Sequence, residues 1–264
     1  MVCAMECKLK NNGFTLIEIM VSMVISSLVI AGVYGVYTIQ QRSYTVQEQV
    51  SEMQQRIRAA VDFMSREMRV AGYDPPEPYD PGNACQGATI TQADTTATQS
   101  NPQFFAFSYC DVTASSNTPP ITYTSVMRTS RYQLENRVLG LQRDDDKSAT
   151  AIAEGVDAIE FRYLGPIDPN TRKPTVLNAP VADRSMIRAV QISMLVRSTY
   201  PDPKYTNSTV YKPASVIEAE KKDEIVPDWD INGDTAGTGN PPNDNFHRRL
   251  LITTIYLRNM GVQQ

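Results

Sequence analysis

The chain has 264 residues, enough for one sizeable domain with an appendage, and 41 % of them are hydrophobic. It carries 25 lysines and arginines against 29 aspartates and glutamates, which gives a formal net charge of −4. A weakly acidic chain of mixed charge lacks the electrostatic footprint of a nucleic-acid-binding protein, so we predict no nucleic-acid partner.

The first predicted element is an apolar helix of membrane length over residues 14–39, preceded by a basic segment with Lys8 and Lys10. In a helix this run extends about 39 Å at roughly 1.5 Å per residue, whereas a bilayer core is about 30 Å thick. A secretory signal is shorter and ends in a small-residue cleavage site, which this run lacks. We therefore predict that this run is retained as a membrane span. The positive-inside rule predicts that its N-terminus is cytoplasmic. An ordinary signal anchor is the alternative interpretation.

The apolar pattern continues beyond residue 39 as a one-sided stripe with helical spacing. Gly72, followed by Pro75 and Pro76, is typical of a helix end. We therefore predict one continuous helix from Phe14 to about Ala71, whose second half covers a soluble body with its stripe. The stripe consists of Val46, Val50, Met53, Ile57, Val61, Met64, Met68 and Ala71.

The remainder of the chain has the pattern of a β-rich domain. Short apolar or alternating runs bounded by turn residues predict strands, and Glu160 and Arg162 fall on the polar face of one of them. Two stretches rich in Pro, Gly, Asn and Asp, 74–103 and 200–247, are predicted loops. The predicted strands are Phe104–Ser108, Ile121–Val126, Val138–Gln142, Ile159–Tyr163, Val190–Val196 and Leu251–Leu257.

The four cysteines divide into two pairs. Cys3 and Cys7 lie in the basic leader, whereas Cys85 and Cys110 lie in the β-rich region. An even pair in an exported region is consistent with an oxidising compartment, so we predict a Cys85–Cys110 disulfide. Two free buried thiols are the alternative.

Residues 228–234 follow the first half of a calcium-binding loop, with oxygen donors at alternate positions and Gly233 at the sharp turn. The position of the usual bidentate glutamate is Gly239, so Asp244 or Glu224 would have to complete the coordination. A solvated turn cluster explains the same pattern, and no cofactor is predicted to be required. The four candidate Ca²⁺ ligands are Asp228, Asp230, Asn232 and Asp234.

No pattern predicts catalysis, and we expect the protein not to be an enzyme. The only histidine is His247, and Arg248 follows it directly. Neither a Ser-His-Asp triad nor an ordinary zinc site can therefore be built in the usual way. His247 is interpreted as a surface residue just before a strand.

Glu18 is the only charged residue of the apolar run, and an acid inside such a run indicates function. The segment Gly13-Phe14-Thr-Leu-Ile-Glu18 resembles the prepilin signal of type IV pilins and type II secretion pseudopilins. The resemblance implies cleavage between Gly13 and Phe14 by prepilin peptidase, and N-methylation of Phe14 by the same enzyme. It also implies that Glu18 pairs with the Phe14 amine of its own or a neighbouring subunit and so fixes the register of assembly.

Four further segments resemble the minor pilins of the PilW class. The implied fold is α+β and pilin-like: a long N-terminal helix, membrane-spanning in its first half, packed on an antiparallel sheet with long loops. The implied parts are a leader at 1–13, a transmembrane and assembly helix at 14–39, its amphipathic half at 40–72 and an exported domain at 73–264. The segments are 62–73, 156–163, 187–197 and 248–259.

The same resemblance implies a non-catalytic minor pilin that helps initiate pilus assembly and lies in the complex at the fibre tip. Its partners would be other minor pilins, the major pilin and a PilY-type tip adhesin. The subunit would cross the inner membrane once, with its C-terminal domain periplasmic, before it enters the extracellular fibre. The alternative is a GspJ-like pseudopilin of type II secretion, followed by a signal-anchored periplasmic enzyme or adhesin.

Overall fold

The structure is a computed structural model that describes residues 14–76, 79–82, 84–93, 96–98, 104–114, 121–144, 146–177, 181–220 and 242–260. The chain divides into two compact units, residues 1–48 and residues 49–264. The first unit contains, in its described part, the beginning of a helix, α1 (Leu16–Met68). The second contains the end of α1, the strands and a short helix.

The long helix is confirmed, with regular geometry from Leu16 to Met68 and a turn over residues 69–72. Gly72 ends this turn with a φ of +70°, and its N–H donates to the Ser108 carbonyl at 2.9 Å. A Cβ at Gly72 would lie 2.5 Å from Sδ of Met260. The chain therefore leaves the helix at a position where the backbone conformation favours glycine and where a Cβ would displace the Met260 side chain.

Ten strands form two antiparallel sheets in the second unit. In the first sheet the order is β1-β3-β4-β5-β6, and in the second it is β10-β9-β7-β2, with β8 also paired to β7. The first sheet consists of β1 (Ile90–Ala93), β3 (Phe104–Ala114), β4 (Tyr123–Glu135), β5 (Val138–Arg143) and β6 (Thr150–Glu154). The second consists of β2 (Thr96–Thr98), β7 (Val156–Ile167), β8 (Pro174–Leu177), β9 (Ala189–Arg197) and β10 (Arg248–Tyr256).

The core joins both sheets to the second half of α1. Phe105 of β3 stacks on Phe161 of β7 with ring centroids 5.3 Å apart, and it also contacts Tyr132 and Tyr163. The predicted stripe of α1 lies in this core, where its fully buried members are Met53, Ile57, Met64, Met68 and Ala71. Burial of several large apolar side chains at about 1.5–3 kcal/mol each is what stabilises this half of the helix.

The predicted Cys85–Cys110 disulfide is confirmed, and both cysteines are buried. It links the segment after α1 to β3 and closes a loop of 25 residues. Asp80 orders this loop, because its carboxylate accepts from the N–H groups of Ala84 and Cys85 at 3.0 and 3.1 Å and from the Ser125 hydroxyl.

The structure differs from the sequence-based expectations in the predicted loops and on one strand face. The stretch 74–103 contains β1 and β2, and the stretch 200–247 contains a helix, α2 (Ala214–Glu220). The strand β7 was expected to be half-buried, with Glu160 on a solvated face, yet Glu160 is 2 % exposed. The reason is that α2 lies over this face of β7. The packing of α2 on β7 joins residues far apart in the chain, so a local sequence pattern does not predict it.

Candidate functional site

At the N-terminal end of the described chain, Phe14 and Thr15 directly precede α1, and Glu18 lies in its first turn. Thr15 caps the helix: its carbonyl accepts from the Glu18 N–H at 3.1 Å, and its hydroxyl lies 3.4 Å from the same nitrogen. A threonine followed three residues later by glutamate is the pattern of a capping box. Phe14 is 81 % exposed, and Glu18 is exposed one turn further on. This cap was not predicted above, although the Thr-x-x-Glu spacing is its signal in the sequence.

The apolar run from Phe14 to Ile39 is exposed at every residue, and α1 is long and apolar enough to cross a membrane. Three of its hydroxyl groups, those of Ser22, Ser27 and Thr38, donate to carbonyls of the helix itself. Ser22 donates to the Ile19 carbonyl at 2.9 Å, and Ser27 donates to the Val24 carbonyl at 2.8 Å. A hydroxyl bonded in this way has its donor satisfied in hydrocarbon or in a helix bundle.

Within this run Glu18 is the only formal charge, and among the described residues its carboxylate has no ion-pair partner. A carboxylate moved into an apolar environment without a partner costs several kcal/mol. The first unit therefore presents an apolar helix surface with one acid, and no described side chain supplies its counter-charge. Gly13 lies outside the described residues, so the cleavage position stays a prediction.

In the second unit, β7 carries two buried acids that hold other elements in place. Asp157 is 5 % exposed and accepts from Nε of Arg248 at 2.7 Å and from Nε of Arg137 at 3.1 Å. Glu160 accepts from the Ser193 hydroxyl at 3.1 Å and from the hydroxyl of Ser215 in α2. Both acids belong to the segment 156–163. Through these hydrogen bonds they hold Arg248 of β10 and Ser215 of α2 in place beside β7.

Arg248, which binds Asp157, also binds Asp244. Its two terminal nitrogens donate to the two carboxylate oxygens of Asp244, both at 2.6 Å. Burial opposes ionisation of Asp244, but the bonds from Arg248 and the Phe246 N–H outweigh it and hold the pKa of Asp244 below its ordinary value. Asp244 was a candidate to complete a calcium site, and the structure commits both of its oxygens to Arg248.

Residues 202–211 and 242–247 pack on each other and on the second sheet. Asn207 is fully buried and donates to the Phe246 carbonyl at 3.0 Å, so its side chain is not accessible to modification. His247 does precede β10, but the expected surface position is wrong. Its ring stacks on Tyr205 at 3.9 Å and its side chain is only 18 % exposed, with Nε2 3.5 Å from Asp202.

The calcium interpretation is not tested by the structure, because Asp228, Asp230, Asn232 and Asp234 lie outside the described residues. Among the residues that are described, one group of side chains has metal-ligating spacing, namely Asp80, Cys85 and Cys110. Its two cysteines form the disulfide and therefore offer no thiolate to a metal.

Comparison with known proteins gives two family matches. Residues 8–34 match the prokaryotic N-terminal methylation motif, and residues 112–259, more than half of the chain, match the type IV pilus-assembly protein W (PilW) model. Among solved structures, the type IV-like pilin TTHA1219 from Thermus thermophilus is similar at 13 % identity and a TM-score of 0.43. That match covers 79 % of this chain and 96 % of the other, and at this TM-score we base no conclusion on it. A search of curated proteins gave no match.

Proposed function

The chain belongs to the type IV pilus-assembly protein W (PilW) family, and from this we propose that it is a minor pilin, a non-catalytic subunit that helps initiate pilus assembly at the fibre tip. The observation that carries the proposal is the combination of two features in one chain. A methylation motif begins an apolar run, residues 14–39, that is exposed at every residue and carries a single acid, and more than half of the chain matches the PilW model. The match does not favour a GspJ-like pseudopilin of type II secretion.

Processing would come first. Prepilin peptidase cuts between Gly13 and Phe14 and methylates the new amine of Phe14. Glycine before the cleaved bond offers no Cβ to hinder close approach of a protease to the backbone. Thr15 and Glu18 already order the helix up to this end, so the cut separates the leader from a preformed first turn.

Before assembly the apolar run is stored in the inner membrane, with the basic side cytoplasmic and the β-rich unit periplasmic. The length of α1 and its internally bonded hydroxyls support this arrangement. On assembly, the run exchanges lipid for the helices of neighbouring pilins, a transfer between two apolar environments that requires little desolvation.

Glu18 sets the axial register between neighbouring helices during this transfer. A buried carboxylate is tolerated when a positive charge meets it, and the Phe14 amine of an adjacent subunit supplies that charge. One axial offset between neighbouring helices satisfies both groups, so the ion pair selects this offset over others. Before assembly, while the subunit is in the membrane, the amine of its own Phe14, one turn away, neutralises Glu18.

The partners in this proposal are other minor pilins, the major pilin and a PilY-type adhesin at the tip. Deletion of the gene, combined with labelling of an epitope-tagged chain, tests the role. We expect surface fibres to be lost while the major pilin accumulates in the membrane, and we expect complemented fibres to carry the tag at one end. Fibres of normal number and length in the deletion strain would contradict a role in initiation.

A further inference from the structure

Asp157 lies at the centre of a cluster of three arginines in the second unit. Its Oδ1 accepts from Nε of Arg137 at 3.1 Å and lies 3.9 Å from Nε of Arg197, while its Oδ2 accepts from Nε of Arg248 at 2.7 Å. Asp244 binds the terminal nitrogens of Arg248. Among the described residues of this cluster three positive charges meet two negative charges, which leaves one positive charge without a described counter-charge.

The uncompensated charge falls on Arg137 and Arg197. Arg248 is 2 % exposed and has two carboxylate partners, so its charge is balanced. In the part of the chain that the structure describes, the terminal nitrogens of Arg137 and Arg197 donate to no protein group. Their side chains are 35 % and 22 % exposed, so these donors are accessible from solvent.

Arg197 is the less solvated of the two. Its guanidinium carbon lies 4.3 Å from the centre of the Phe246 ring, which shields one face of the group. Burial lowers the pKa of Arg197, and repulsion from Arg137 and Arg248 lowers it further, although Asp157 and Asp244 act in the opposite direction. A guanidinium that has lost part of its water and faces two like charges gains most from an additional anion.

We propose that the unpaired terminal nitrogens of Arg137 and Arg197 bind a carboxylate side chain of another pilin subunit. The inference rests on the proposed function, because that function places other subunits against this one. The Nε atoms of both arginines lie near the same Asp157 oxygen, at 3.1 and 3.9 Å, and from this proximity we infer that both groups can reach one further oxyanion. The planar donor fork of arginine suits a carboxylate, which accepts two parallel hydrogen bonds.

A titration of the full-length chain in detergent micelles tests the site directly. The arginine Nε–H resonances are followed while acetyl-Glu-Glu-amide, inorganic phosphate or chloride is added at matched ionic strength. We expect the dipeptide to move the Arg137 and Arg197 resonances in a saturable way and its affinity to fall about tenfold in Arg197→Gln. Arg249→Gln, which removes an exposed charge from β10, should bind as the wild type does.

Three outcomes of this titration would overturn the inference. The first is that the dipeptide causes no saturable movement, and the second is that chloride reproduces it. The third is that phosphate moves the two resonances and the dipeptide does not, since the site would then take a free anion and not a partner's side chain.

A second experiment separates failure of this inference from failure of the proposed function. The double variant Arg137→Gln/Arg197→Gln is expected to be cleaved and to reach the membrane normally, but its amount in sheared fibres should fall about tenfold. The matched control, Arg249→Gln/Arg258→Gln, removes two exposed charges and should enter fibres as the wild type does. If the first double variant enters fibres normally, this inference is wrong and the proposed function stands. If the wild-type chain is absent from fibres, the proposed function is wrong.

Retention of the Cys85–Cys110 disulfide and the unfolding temperature report whether the double variant folds. Should it unfold, Arg137→Lys/Arg197→Lys keeps both positive charges beside Asp157 but replaces the planar donor fork with a compact ammonium group. We expect this variant also to be depleted from fibres, and its normal incorporation would overturn the inference.

Discussion

Arg248 and Asp244 form a two-pronged ion pair in which both terminal guanidinium nitrogens meet the two carboxylate oxygens at 2.6 Å. The same arginine reaches Asp157 on β7 through Nε, so one buried side chain joins β10, β7 and the segment before β10. This contact explains how a stretch without strand or helix periodicity acquires a fixed place on the second sheet. It also commits both carboxylate oxygens of Asp244 to Arg248.

Replacement of Asp157 by asparagine should destabilise the second unit by about 3 kcal/mol, because Arg248 would lose one of its two charged partners inside the protein. Urea unfolding of the full-length chain in detergent measures this free energy. As a control, Asp62→Asn removes an exposed acid from an α1 ion pair with Arg66 and should cost less than about 0.5 kcal/mol. Equal effects of the two substitutions would show that the buried cluster does not stabilise the fold.

Replacement of Gly72 by alanine should cost about 2–4 kcal/mol, since the new Cβ meets both a left-handed φ and the Met260 sulfur at 2.5 Å. Gly82 provides the matched control. Its φ is +85°, but a Cβ there has no neighbour within 4 Å, so Gly82→Ala carries the backbone strain alone and should cost about 1 kcal/mol. Thermal unfolding of the two variants separates the contribution of packing from that of backbone strain.

The stability of the second unit should fall in acid, and Asp244 should account for part of the loss. Despite its burial, bonds from Arg248 hold the pKa of Asp244 below the value of an unfolded aspartate, about 3.9. The stabilisation is therefore complete at neutral pH, weakens as the pH approaches about 4 and is lost as the pH falls through the folded-state pKa. Unfolding free energies of the wild type and Asp244→Asn, measured from pH 7 to pH 3, should converge at the acidic end. A constant difference between them would contradict this assignment.

Much of this fold follows from local patterns in the sequence. The stripe of α1 predicts its buried face because helical spacing and burial are both local properties, and Met53, Ile57 and Met64 lie in the core as expected. The strands β3, β5, β7, β9 and β10 were predicted for the same reason. The paired cysteines of the exported region predicted the disulfide.

The polar interior was not predictable in the same way. Glu160 alternates with apolar residues, and this pattern favours a solvated face, yet Ser193 and Ser215 enclose its carboxylate. Those serines lie 33 and 55 residues further along the chain, in β9 and α2. Burial of this kind depends on long-range packing of a segment that has no periodicity of its own. For the N-terminal site the situation is reversed, because the functional residues are contiguous in the sequence.

Replacement of Glu18 by alanine should leave cleavage and membrane insertion intact but reduce the amount of the chain in sheared fibres about tenfold or more. The physical reason is the lost ion pair, without which neighbouring apolar helices have no preferred axial offset. Glu48→Ala, which removes an exposed acid from the same helix beyond the apolar run, is the matched control and should assemble normally. The quantity to measure is the ratio of fibre to membrane protein by immunoblot, and an unchanged ratio for Glu18→Ala would refute the register mechanism.

The chemical state of the N-terminus in assembled fibres shows most directly whether the protein is a pilus subunit. Mass spectrometry of the chain from sheared, purified fibres should find N-methylated phenylalanine, Phe14, as the first residue, with the Cys85–Cys110 disulfide intact. A chain that keeps residues 1–13, or that is cut beyond Ile39 and released without its apolar helix, would contradict the assignment of this protein as a pilus subunit.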